Sequence, residues 1–118
     1  MENRNSTEER LSFIESLFVK YGARPTALNE KNRERFDQRQ IFSLNGNYYR
    51  AEADVFDGSL FFVLSVTDKQ DYAAVGIMED VDALPEQADD ARLEQAVRYA
   101  LGIEPYPEKY PVEDGPAG

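Results

Sequence analysis

Cysteine, histidine and tryptophan are all absent from this 118-residue chain. Without cysteine there is no disulfide, no thiolate metal site and no cysteine nucleophile. Without histidine the commonest general base, the commonest zinc ligand and the usual switch near neutral pH are missing. Ser-His-Asp and Cys-His mechanisms are therefore excluded. Carboxylate, tyrosine, serine or lysine chemistry is still open to the chain, but no constellation for it is visible. The expectation is a non-enzyme with no catalytic residues, no metal ligands and no cofactor.

Positive charge is also scarce. Thirteen bases face 23 acids, for a net charge of −10. Such a surface repels nucleic-acid phosphates and anionic membranes. No direct nucleic-acid binding and no membrane association are expected. No apolar run reaches membrane-spanning length, and Met1–Arg10 is too polar for a signal peptide. The expected location is cytoplasmic. The deficit is uneven: residues 79–118 carry eleven acids and three bases, while residues 1–40 carry seven and eight.

Apolar residues make up 42% of the chain, with seven Phe and seven Tyr. That is enough for a core in a single domain over 1–118. The ordered part is expected to run from about 6 to 102, with 103–118 as a Pro-rich acidic tail. The first helix is signalled by Ser6 and Glu9 at capping-box spacing. Leu11, Ile14, Phe18 and Tyr21 recur at helical spacing, widened by Phe13 and Leu17, and Gly22 ends the run. Residues 23–38 read as a loop, with a short exposed helix near Asn29–Arg35 and Leu28 and Phe36 as anchors.

Asn45-Gly46 and Asp57-Gly58 each separate alternating runs and read as tight hairpin turns. Their register pairs Phe42 with Tyr49, Gln40 with Ala51, Val55 with Leu60, Ala53 with Phe62 and Ala51 with Leu64. A four-residue loop at Asp68–Asp71 then pairs Val66 with Ala73. This gathers Phe42, Leu44, Tyr49, Ala51, Ala53, Val55, Leu60, Phe62, Leu64, Val66, Ala73, Val75 and Ile77 on one face. A one-residue slip would undo that agreement. Asp80–Pro85 is read as the exit from the sheet. A second helix follows at roughly Asp89–Leu101, ended by Gly102. Ile103, Tyr106 and Tyr110 are the tail residues able to pack.

The expected fold class is α+β: a helix, a four-stranded antiparallel meander and a second helix, as a two-layer sandwich with both helices on one sheet face. The other face is then open. Along it run Ser43, Tyr48, Thr67 and Tyr72, then Ile41, Arg50, Ser65 and Ala74, then Arg39, Glu52, Val63 and Gly76, and finally Asp54, Phe61 and Met78.

That open face supplies the candidate binding site: Tyr48, Arg50, Tyr72, Phe61 and Met78. A guanidinium flanked by phenols over small residues suits a small anion. The same Tyr, Arg, Phe and Met residues suit a protein interface. An ordinary solvated face, with Arg50 paired to Glu52, is the plainer alternative. Glu79, Asp80 and Asp82 are close carboxylates, but they lack the glycine and closing glutamate of a calcium loop. Glu52 and Asp54 share a face without a pocket to separate their pKa values. The bases of Lys31–Arg39 are interleaved with acids and read as solvated.

The leading expectation is a small acidic protein-binding module of the immunity or inhibitor type, with a protein partner that is basic. An acidic mimic of nucleic acid fits the same charge. The alternative is a small-molecule, anion-binding domain using the Arg50 face. The same pattern is compatible with homodimerisation through the open face or an edge strand.

Overall fold

A computed structural model describes residues 6–31 and 38–104. In chain order the elements are α1 (Thr7–Lys20), β1 (Arg24–Pro25), β2 (Phe42–Leu44), β3 (Asn47–Phe56), β4 (Ser59–Thr67), α2 (Gln70–Ala74), β5 (Glu79–Pro85) and α3 (Asp90–Ala100). The five strands form one antiparallel sheet in chain order, β1-β2-β3-β4-β5. Most of the Asn29–Arg35 helix, the Phe36 anchor, most of the Lys31–Arg39 stretch and the tail beyond residue 104 lie outside the described residues. No helix among those described is long and apolar enough to cross a membrane.

Both glycine turns form where expected. Asn45 and Gly46 have φ of 53° and 86°, Asp57 and Gly58 of 53° and 80°. Two successive positive φ values mark the turn whose twist matches that of paired strands. The resulting register places Phe42 opposite Tyr49, Ala51 opposite Leu64, Ala53 opposite Phe62 and Val55 opposite Leu60.

Caps fix the helix ends. Ser6 Oγ accepts from Glu9 N–H at 3.1 Å, and Asp89 Oδ1 from Arg92 N–H at 2.9 Å. Helices α1, α2 and α3 each stop on a glycine with the same pair of backbone bonds. In α1, Gly22 N–H donates to Val19 O and Ala23 N–H to Phe18 O. In α2, Gly76 N–H donates to Ala73 O and Ile77 N–H to Tyr72 O; in α3, Gly102 and Ile103 repeat the pattern onto Tyr99 and Arg98.

The main core lies between the sheet and the two longer helices. Leu11, Ile14, Leu17 and Phe18 of α1 meet Leu93, Ala96 and Val97 of α3 over Phe42, Tyr49, Ala51, Phe62, Leu64 and Leu84. The Phe18 ring sits 5.4 Å from that of Phe42 and 6.1 Å from that of Tyr49. Each such ring removes roughly 150–250 Å² from water. Polar ties hold the layer together. Lys20 Nζ and Tyr21 Oη both reach Glu94 Oε2, at 2.8 and 2.5 Å. Arg10 donates to the carbonyls of Glu86 and Ala88 while its guanidinium lies 5.0 Å from the Phe62 ring centre.

The expected fourth strand is corrected. Residues 70–74 are helical, and Val66 pairs with Glu79 instead of Ala73. The strand beside β4 is Glu79–Pro85, the segment read from sequence as leaving the sheet. Val75 and Ile77, expected on the apolar face, are exposed, as is Val55 near the second turn. The physical reason lies at Thr67 and Gly76. Thr67 Oγ1 takes the Lys69 N–H at 3.2 Å, which turns the chain. Gly76, at φ 79°, then closes the single helical turn before β5 can start. The sheet also gains β1, where Arg24 and Pro25 pair with Ser43 and Phe42. Pro25 belongs on such an outer strand because it has no N–H to give to a ladder.

Candidate functional site

The second sheet face is not open. Alternation along β3 and β4 turns Arg50, Val63 and Ser65 away from the main core. They are nevertheless buried, as are Ile41, Ala73 and Asn29. Helix α2 and the chain from Val75 to Met78 lie over this side. Arg50 Nη1 donates to Gly76 O at 3.2 Å, and the Gln38 amide packs against the Gly76 backbone. Asn29 Nδ2 in turn donates to Arg39 O at 2.9 Å.

This places the five expected site residues. Arg50 is only 8% exposed and does not front solvent. Its Nε lies 3.3 Å from Glu52 Oε2 but is not aligned to hydrogen-bond it. The guanidinium is turned onto the Gly76 carbonyl. Tyr48 borders a separate shallow cleft with Arg24 and Ser43. Phe61 packs against Phe56 at 6.0 Å near the second turn, opposite Pro85 on β5. Met78 is therefore not in its row, as the sequence reading had it. Tyr72 and Met78 do come together.

They meet at a cleft of about 510 Å³ between the start of β3, the end of β4 and the start of β5. Its walls include Tyr72, Ile77, Met78, Val66, Asn47 and Lys69. Tyr72 and Ile77 are 44% and 57% exposed, and Val75, which lies between them in the chain and outside the cleft lining, is 54% exposed. The Ile77 N–H to Tyr72 O bond, 2.9 Å, clamps the two residues side by side. Asp68, Lys69 and Glu79 are the charged residues that line the cleft, and Asp71 is exposed beside Tyr72 in the chain. Lys69 Nζ stands 3.7 Å from Asp68.

Sequence reading missed Val75 and Ile77 as surface-site residues because it placed 72–78 in a strand. The available signal was Gly76, which sits where a helix-ending glycine belongs. The Glu79, Asp80 and Asp82 candidate is dispersed along β5. Asp80 accepts from Ser65 Oγ at 2.9 Å, and Asp82 accepts from Ala83 N–H at 2.9 Å. Burial pushes the Asp82 carboxyl above its ordinary range, partly opposed by Arg92 and the Ala83 amide. Among the described residues no group of three or more acids is arranged to hold a metal ion. Compared with protein-family models, with curated proteins and with solved structures, the chain has no significant match in any of the three.

Proposed function

We propose that this chain is an acidic protein-docking module that works by contact through the α2–β5 ledge. The observation that carries the reading is the exposure of Tyr72, Val75 and Ile77 together beside a cleft. Single exposed apolar residues are ordinary, but a contiguous set rimmed by charge favours an interaction site. Aromatic residues and methionine are the types favoured at interface centres. The missing histidine and cysteine fit the same reading. The anion-binding alternative loses its cation, because Arg50 is turned inward onto Gly76.

The test is a photoreactive phenylalanine analogue placed at Ile77, with exposed Ser12 on α1 as the control position, irradiated in the native host. A discrete adduct with another protein from position 77 and none from position 12 is the expected result. Equal labelling from both positions, or no adduct from 77, would remove the ledge as a docking surface.

A further inference from the structure

We infer that the occupant of the Tyr72–Ile77 ledge is a short basic segment of a partner protein, with one or two large aliphatic or aromatic side chains flanked by Lys or Arg. This rests on the docking reading and adds the chemistry of what docks. Two features of the ledge select it. The cleft wall of Val66, Ile77 and Met78 offers apolar surface, and methionine adapts to irregular side chains. The rim is negative: Asp68 and Glu79 line the cleft with Lys69, Lys69 already faces Asp68 at 3.7 Å, and Asp71 is exposed one residue before Tyr72. The whole chain, at −10, adds to the same field. An acidic segment would meet repulsion at every flank, and a second copy of this chain would bring the same sign of charge. A basic segment gains attraction at the rim while its apolar anchors fill the cleft.

The size of the cleft bounds the strength. A volume near 510 Å³ accommodates one or two large side chains, not a broad interface. Binding of an isolated segment is therefore expected in the range of roughly 1–100 μM, with steep salt dependence.

The experiment selects random twelve-residue peptides on the immobilised full chain at low salt. Enriched peptides are then measured by fluorescence anisotropy. The expected consensus has Lys or Arg around one or two large apolar positions. Ile77→Asp should weaken these peptides at least tenfold. Because Ile77 is half-exposed, the fold should survive, which far-ultraviolet circular dichroism checks. The charge variant Asp68→Asn/Asp71→Asn/Glu79→Gln should flatten the salt dependence and lower affinity several-fold. Neutral or acidic consensus peptides, or peptides bound equally by Ile77→Asp, would overturn the inference. So would concentration-dependent self-association abolished by Ile77→Asp, which would make a second copy the occupant. If no peptide is enriched while the position-77 adduct forms, the occupant's chemistry is wrong and the docking surface stands. If the adduct is also missing, both fall.

Discussion

Arg39 grips Glu15 at two points: Nε to Oε2 at 2.7 Å and Nη2 to Oε1 at 2.9 Å. Its remaining nitrogen reaches Glu8 at 2.8 Å. The pair ties the segment entering β2 to the middle of α1. Only a planar fork can make both bonds, so lysine is a poor substitute. Arg39→Lys should cost about 1–2 kcal/mol in urea unfolding, with an unchanged slope. Glu8→Gln should cost less, because Glu8 is largely exposed.

Two such charged groups set a pH trend. Hydrogen bonding to Arg39 holds the Glu8 carboxyl below its ordinary value, and Lys20 with Tyr21 does the same for Glu94. Each folded value lies below its unfolded one. The stabilisation is therefore present above the ordinary value of 4.5 and is lost as pH falls through the lowered folded values. Thermal unfolding between pH 6 and pH 3 should show this loss, and Lys20→Met should blunt it.

Asp82 has the opposite sign. Burial raises its folded value, so its ionised form opposes folding at neutral pH and its protonated form does not. Asp82→Asn keeps an acceptor for the Ala83 N–H and removes the charge. It should raise Tm at pH 7, and the difference from the parent chain should shrink as pH falls through the raised value and vanish below the ordinary value of 3.8.

Arg50→Ala should lower stability by about 1–3 kcal/mol, since it strips a buried strut from Gly76 O and leaves Glu52 without its neighbour. Arg50→Met keeps the packing of the stem and should cost less. Calorimetry of both variants distinguishes a strut from a solvent-facing ligand group, whose removal would leave Tm unchanged.

Gly76→Ala should cost about 1–2 kcal/mol, because φ of 79° is strained for any residue with a Cβ. The added carbon would also meet the Gln38 amide at 2.6 Å, though that side-chain end can swing aside. Chemical shifts of Tyr72 and Ile77 should move with the substitution.

Most of the central sheet was legible because two independent signals coincided there. Asn45-Gly46 and Asp57-Gly58 demanded tight turns, and the register they set also gathered Phe42, Tyr49, Ala51, Phe62 and Leu64. The third connection had no such check. Ala73, Val75 and Ile77 alternate like a strand, yet Ala73 is buried on the second face and the other two face solvent. β5 was hidden for the converse reason. Glu79, Asp80 and Asp82 broke its apolar alternation, and a register shift at Leu64/Ser65 removed the simple period of two. Those two misreadings together put the covered Arg50 on an open face, while Tyr72 and Met78 line one cleft.

Every strand lies beside its neighbour in the chain, and two of the connections are two residues long. β2, β3 and β4 can therefore zip up by short loop closures, on the order of microseconds for a hairpin. Joining α1 to α3 is a different event: Lys20 and Glu94 are 74 positions apart. Folding kinetics should thus be governed by the hairpins first, with Gly46→Ala or Gly58→Ala slowing refolding. Glu94→Gln should leave the refolding rate nearly unchanged and make the native state come apart faster.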